Sequence, residues 1–329
     1  MKYAAIGQTD INVSAVCMGC WAIADPGAWG PQDEQDAIDA IEASLDAGVT
    51  FFDTAEGYGA GASEELLGRV LKPHRHRIVI ATKAGSRHMA ADDILEACDD
   101  SLRRLQTDHI DLYQLHWPSR NVSFEETAGA LDTLVTQGKV RAVGVSNFGP
   151  LDLAAFLGTR RAEADQVAYS LLFRSPEYEL LPVCAENRVS VLCYSSLAAG
   201  LLTGKFARAD DVPAGRARTR HFSGDRARAR HGEDGAEELT FAALAQVREL
   251  AAERGLPMAH VALAWLLRQE AVTSVIAGAR NAAQARQNAA AAEIELPGDL
   301  VARLAEVTDP LKQKLGRSLD PWQSESRAR

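Results

Sequence analysis

The fold is decided between Val49 and Lys83: Val-Thr-Phe-Phe-Asp-Thr-Ala-Glu-Gly-Tyr-Gly-Ala-Gly-Ala-Ser, helical residues to Leu71, then Arg-Ile-Val-Ile-Ala-Thr-Lys from Arg77. The apolar runs Val49–Phe52 and Arg77–Thr82 lack the alternation of a half-exposed strand. They read as strands covered on both faces, as in a parallel sheet. Ser63–Leu71 between them reads as a helix. The junction also satisfies G-x-G-x-x-A at Gly57, Gly59 and Ala62, the dinucleotide fingerprint of an open sheet. That fingerprint requires an acidic ribose ligand about 20 residues on, and the next strand exits at Lys83 instead. The glycines are therefore read as freeing the loop to present Tyr58.

The same rhythm runs along the chain. Further strand candidates are Val16–Met18, Ile110–Leu115, Val140–Val145, Ala164–Val167, Val189–Tyr194 and Thr273–Ala277. Asp36–Ala47 places Ile38, Ile41 and Leu45 on one helical face and ends at Gly48. Asp92–Leu105 does the same with Ile94, Leu95, Cys98, Leu102 and Leu105, with Asp92 positioned to cap it. Eight such strands fit an open doubly wound sheet or a closed (β/α)8 TIM barrel, and the barrel is the reading adopted here. Lys2–Val13 reads as an N-terminal β-hairpin plugging the barrel bottom, and an extra C-terminal helix is expected. Residues 1–329 read as one domain. Residues 207–236 break the rhythm with Arg208, Arg216, Arg218, Arg220, Arg226, Arg228 and Arg230 and no apolar period, the mark of a lid or a disordered loop. The tail 312–329, polar apart from Leu315, Leu319 and Trp322, is expected to be mobile.

Composition narrows the class. The 329 residues carry 35 basic and 45 acidic side chains, net −10, with 47% hydrophobic and 24% charged residues, an ordinary globular balance. An acidic surface argues against nucleic acid as a partner. No run nears the roughly 18 apolar residues of a membrane span, and the N-terminus turns polar before a signal core forms. Five scattered cysteines read as reduced thiols in the cytoplasm. Cys17 and Cys20 have C-x-x-C spacing, but on a strand they face opposite ways, and no second pair exists for zinc, so no metal is expected.

In a β/α barrel, loops at the C-terminal strand ends converge over the mouth. The exits here are Gly19-Cys20-Trp21, Asp53 with Gly57-Tyr58-Gly59, Lys83, His116-Trp117, Ser146-Asn147, Gln166, Tyr194-Ser195 and Gly278-Ala279-Arg280. A phenol with pKa near ~10 donates a proton sluggishly when unaided. A nearby ammonium lowers that value, a carboxylate keeps the ammonium charged, and a histidine orients a carbonyl oxygen or relays the proton. Singly, Asp53 is a cap, Tyr58 a turn residue, and Lys83 and His116 surface groups. Together, at adjacent strand ends, they suit protonation of an oxygen gaining charge, as in carbonyl reduction. The hydride would come from a nicotinamide.

At Phe52-Asp53-Thr54-Ala55-Glu56-Gly57-Tyr58-Gly59, Ser101-Leu102-Arg103-Arg104-Leu105 with Asp108 to His116, and Gly144-Val145-Ser146-Asn147-Phe148, the chain resembles the aldo-keto reductase family. Ile23–Gly30 is similar to its general bacterial branch. The resemblance, from Lys2 to about Leu311, implies Tyr58 as general acid, Lys83 and Asp53 as its tuning pair and His116 on the substrate oxygen. It implies Ser146, Asn147 and Gln166 on the nicotinamide carboxamide and Tyr194 stacked on the ring. Ser195, Leu197, Gly200, Leu202 and Lys205 would hold the pyrophosphate, with Gly278, Arg280, Gln284 and Asn288 at the adenosine end. Relatives carry Pro at the place of Ser196, an exchange expected to loosen that loop. Arg280 suits a 2′-phosphate and favours NADPH, while Gln284 in place of a second arginine leaves NADH use open. Trp21, Trp29 and Trp117 would line the mouth for a small carbonyl substrate. The arginine-rich insertion reads either as a cover offering Arg218 or Arg220 to phosphate or as a solvated loop. The alternatives are a non-catalytic nicotinamide-binding regulatory subunit, or a sugar or polyol dehydrogenase. Oligomeric state is not legible.

Overall fold

The computed structural model describes residues 1–329. The chain begins with β1 (Tyr3–Ala5) and β2 (Asn12–Ser14), paired antiparallel with Tyr3 opposite Ser14. Each strand candidate then becomes a strand: β3 (Val16–Gly19), β4 (Phe51–Asp53), β5 (Val79–Ala84), β6 (Ile110–Leu115), β7 (Val140–Ser146), β8 (Ala164–Ala168), β9 (Ser190–Tyr194) and β10 (Val272–Gly278). These eight pair in parallel and close, with β10 bonded to both β9 and β3. The open-sheet alternative is excluded by that closure. The architecture is a TIM barrel ringed by helices, with an N-terminal hairpin and a C-terminal helix, Gly298–Leu315.

Strand register explains why the chemistry gathers at one end. Cys17, Phe51, Val79, Ala81, Leu112, Ala142, Ala164, Leu192 and Ile276 pack inside the barrel against Ile6, Ile11 and Val13 of the hairpin region, which stoppers the bottom. Side chains recur on the same face every two residues. One step above this apolar layer therefore lie Gly19, Asp53, Lys83, Gln114, Gly144, Gln166, Tyr194 and Gly278. The pairings Gly19–Asp53, Lys83–Gln114 and Gln114–Gly144 put these residues at a common height. The ring above the apolar floor is polar or glycine throughout.

Local capping departs from expectation at one place. The helix after β5 runs Ala91–Leu105 with Ala90 at its cap and Asp92 inside its first turn. The Ala91 N–H is taken instead by the Glu126 carboxylate of the neighbouring helix, at 3.1 Å. A tertiary contact thus replaces the local cap. Cys17 and Cys20 fall in separate apolar clusters, and all five cysteines are free and buried.

The insertion and the tail both pack down. Arg220 does not face the mouth: it donates to both carboxylate oxygens of Glu233, at 2.9 and 3.0 Å, and to the Leu315 carbonyl. His221 donates from Nε2 to the Leu172 carbonyl at 2.9 Å, and burial pushes its pKa down to about 4. The tail crosses the barrel mouth. Arg327 lies 3.5 Å from the Trp117 ring centre, held by Asp320, which is fully buried. Asp152 then clasps the last residue, accepting from the Arg329 N–H at 2.7 Å and from Arg120 at 2.5 and 2.8 Å. Contacts between distant segments, invisible to any local pattern, hold what the sequence left free. No helix is long and apolar enough to cross a membrane.

Candidate active site

Asp53 ends β4, and the loop after it turns sharply to carry Tyr58. Gly59 has φ +60°, and a β-carbon there would fall 2.5 Å from the Ala24 carbonyl oxygen. The helix that follows, Ala62–Leu71, is pinned by the fully buried Glu64. This carboxylate accepts from Thr82 Oγ1 at 2.5 Å and from Arg104 Nε at 2.6 Å. The Ser101–Leu105 segment therefore serves the loop that presents the tyrosine.

Within the polar ring, Lys83 Nζ lies 2.6 Å from Asp53 Oδ1, 2.8 Å from the Thr54 carbonyl oxygen and 3.4 Å from the Tyr58 hydroxyl. Asp53 Oδ2 accepts from Gln166 Nε2 at 2.7 Å and from Gln114 Nε2 at 3.2 Å. His116 meets the Tyr58 ring edge-on at 5.9 Å, and Trp21 stacks on it at 6.2 Å. The four groups converge.

Their ionisation follows from this packing. Burial pulls the Lys83 ammonium down, but Asp53 and Tyr58 more than reverse that, so it is held above its usual value. Burial pushes the Tyr58 phenol up, and the Lys83 charge offsets only part of the rise. The ammonium lowers the phenol as the sequence reading had it, but burial outweighs that effect and the Asp53 charge adds to the rise, so the net shift is upward. Burial, then Lys83 and Arg327, press His116 down to about 3, so its ring is neutral at ordinary pH. The site holds a loaded proton on a phenol beside a neutral imidazole.

Above the ring opens a cavity of about 680 Å³. Asp53, Tyr58, His116, Ser146, Asn147, Gln166, Tyr194, Ser195, Leu197, Gly200, Lys205, Gly278, Arg280, Gln284 and Asn288 line it, with Trp21, Trp29 and Trp117. Lys83 stands behind, reaching it through Tyr58 and Asp53. Leu202 is misplaced in the sequence reading: its side chain is fully buried in the outer apolar core, and its N–H is bonded to the Leu197 carbonyl. The expected loosening at Ser196 is also corrected, because its hydroxyl donates to the Ile276 carbonyl at 2.7 Å and ties the loop to β10.

Asn147, at φ +61°, donates to the His116 carbonyl and accepts from the Tyr194 hydroxyl at 2.7 Å. Arg280 is engaged rather than free. It donates to Gln32 Oε1 at 2.7 Å, to the Trp29 carbonyl at 2.8 Å, and to the Gly30 and Pro31 carbonyls. Sequence reasoning missed Gln114, Arg216, Trp322 and Arg327. Gln114 was signalled by a lone amide in an apolar run, and Trp322 by its place in a polar tail. Arg216 carried no signal beyond its arginine-rich surroundings.

The residues fit an anionic, extended cofactor. A β-carbon on Gly200, at φ +93°, would stand 2.9 Å from Lys205 Nζ and 3.8 Å from Arg216, so backbone and cations share a cradle. Arg216 Nε is buried without a partner. Burial, then Arg216 and Arg280, push the Lys205 pKa down, which an arriving anion would relieve.

The Aldo/keto reductase family model matches residues 15–309. The chain is 34% identical over 338 residues to the NADH-specific methylglyoxal reductase of Escherichia coli (strain K12), covering 95% of this chain and 100% of that one. An aldo-keto reductase from Klebsiella pneumoniae solved in complex with NADPH superposes with a TM-score of 0.75 at 29% identity, covering 97% and 98% of the two chains. A glycerol dehydrogenase from Gluconobacter oxydans superposes with a TM-score of 0.80 at 31% identity, covering 94% and 95%. With its barrel closed, its polar ring in place and the family model matched almost end to end, the chain belongs to the aldo/keto reductase family.

Proposed function

We propose that this protein reduces an aldehyde or ketone to an alcohol, with Tyr58 as the proton donor. The observation that carries the proposal is the Asp53–Lys83–Tyr58–His116 cluster at the base of the cavity. A bound nicotinamide dinucleotide would supply the hydride. The carbonyl oxygen, as it gains negative charge, takes the phenolic proton, and the fixed Lys83 ammonium stabilises the phenolate left behind. Neutral His116 donates no proton in this reading and orients the oxygen. In this reading Ser146, Asn147, Gln166 and Tyr194 would hold the nicotinamide, Ser195, Leu197, Gly200, Lys205 and Arg216 the pyrophosphate, and Gly278, Arg280, Gln284 and Asn288 the adenosine end, a reading supported by their all lining one cavity. Trp21, Trp29 and Trp117 form the substrate wall. Steady-state NADPH oxidation with a panel of aldehydes tests the proposal, and absence of turnover refutes it.

The pH dependence carries a sign. A phenol donates only while protonated, so reductive kcat/KM should stay flat between about pH 6 and 9 and fall as pH rises through the raised Tyr58 pKa. His116, at about 3, should contribute no inflection near its ordinary value of about 6.5. An inflection there would make His116 a proton carrier.

NADPH is the proposed preferred cofactor, through Arg280. Because that guanidinium already serves the Trp29–Gln32 carbonyls, it must share its donors with a 2′-phosphate. Arg280→Met is expected to lower the NADPH over NADH ratio of kcat/KM by about 10- to 100-fold, measured with one aldehyde. An unchanged ratio would remove Arg280 from the phosphate site. The same residues run backwards would oxidise an alcohol, a second reading favoured by the likeness to a glycerol dehydrogenase. Comparing aldehyde reduction with glycerol oxidation decides between the two directions.

A further inference from the structure

The insertion between β9 and the helix Glu237–Glu253 carries seven arginines, and the structure sorts them into two sets. Arg208, Arg220 and Arg226 form ion pairs with Asp211, with Glu233, and with Asp210 and Glu237. Arg216, Arg218, Arg228 and Arg230 form none, and all four line the cavity. A protein of net charge −10 thus gathers unpaired cations at the mouth of its site. Unpaired like charges repel, so this arrangement persists at a cost unless an anion visits it.

The cofactor accounts for only part of that charge. Arg216 sits with Lys205 and Arg280 at the cradle around Gly200, and these three face the about three to four negative charges of an NADPH pyrophosphate and 2′-phosphate. Arg218 belongs to a different group. Its guanidinium lies between two indoles, 5.5 Å from the Trp21 ring and 5.0 Å from Trp322. Trp21 in turn stacks on Tyr58, so one ring separates Arg218 from the proposed proton donor. Arg228 reaches the same corner, donating to the Gly27 carbonyl. The one carboxylate nearby, Asp25, is committed to Trp21 Nε1 at 2.8 Å and to the Ala28 N–H at 3.1 Å. A guanidinium held against two aromatic rings keeps its N–H donors, the groups that grip carboxylate or phosphate, available to a ligand when no group of the chain takes them. The Arg218 side chain spends those donors on no group of the chain. Burial, then the neighbouring Arg230 charge, disfavours its ionised form, and the Asp25 charge offsets only part of that, so a bound anion would relieve the remainder.

We infer that the carbonyl substrate carries an anionic group, a carboxylate or a phosphate, that docks on Arg218 with Arg228 and Arg230 beside it. The span of one indole between Arg218 and Tyr58 sets a short carbon chain between that group and the carbonyl. This inference rests on the carbonyl-reductase reading above and names the substrate class for that site.

The test uses matched pairs with NADPH: succinic semialdehyde against butanal, and glyceraldehyde 3-phosphate against glyceraldehyde. The expected result is a kcat/KM about 10- to 100-fold higher for the anionic member of at least one pair, and the preferred pair identifies carboxylate or phosphate. That preference should shrink as salt rises, and Arg218→Met should cut it by about tenfold. Arg228 and Arg230 are exposed, so the double change Arg228→Ser with Arg230→Ser tests the same corner at the loss of one surface bond, from Arg228 to the Gly27 carbonyl; it should reduce the preference by about threefold. Neutral substrates performing as well as anionic ones in the unmodified protein would overturn the inference while leaving carbonyl reduction intact. So would a preference that survives both variants. An NADPH dissociation constant that rises in Arg218→Met as much as kcat/KM falls would overturn it too, assigning Arg218 to the cofactor. Turnover of none of the four compounds would refute the reductase reading, and the inference with it.

Discussion

Exchanging Tyr58 for phenylalanine is expected to lower kcat for aldehyde reduction by about two to four orders of magnitude, the range a positioned general acid supplies. The ring contacts survive the exchange: Phe keeps the stack on Trp21 and the edge against His116, so folding and the cavity wall are preserved. Only the Oη is lost, 3.4 Å from Lys83 Nζ. NADPH binding, followed by quenching of tryptophan fluorescence, should change little, because the proposed cofactor contacts lie on the other strands and loops. The split between lost turnover and kept affinity is the diagnostic. Full activity in Tyr58→Phe would end the assignment of the proton donor.

The second large effect is expected at Asp53. Its carboxylate is buried and matches the buried Lys83 ammonium at 2.6 Å. Asp53→Asn removes the charge without changing shape, leaving the ammonium opposite a neutral amide. Breaking a buried pair from one side costs about 3–5 kcal/mol, because the surviving ion stays desolvated. Denaturant unfolding at neutral pH should show that loss. Gln166 and Gln114 add to it: both point Nε2 donors at Asp53 Oδ2 while Lys83 points at Oδ1, and an amide keeps an acceptor oxygen on one of those sides only, turning an NH2 donor toward the donors on the other. Turnover should fall as well, because Lys83 is no longer held beside the phenol. A variant as stable and active as the parent would show that the pair is not what positions Lys83.

What the sequence revealed divides along a physical line. Several of the eight strands were legible because a strand covered on both faces needs an apolar run, and nothing distant is required to see one. Asp53, Tyr58, Lys83 and His116 stood out because polar groups at the ends of such runs have no place in packing. Asp92 failed as a cap because Glu126, on another helix, took the donor. Arg220 and the tail were misread for the same reason: Glu233, the Leu315 carbonyl, Asp320 and Asp152 hold them across the fold. Leu202 was carried over by its place in a motif, and only its burial shows that the chain uses it for packing. The raised Tyr58 phenol was hidden too, since it follows from how deeply the folded chain buries the hydroxyl, which outweighs the Lys83 charge.

The polar ring above the apolar layer has a consequence for how this protein can change. Its members are fixed by strand pairing, two residues past an anchor that the barrel requires, so a shift of one position would turn every one of them outward. The floor of the pocket is therefore rigidly inherited, whereas its rim is furnished by the insertion and the tail, which contribute nothing to closing the barrel. Mutational drift can rewrite the rim and exchange one clientele of molecules for another while the proton and its keepers stay where they are.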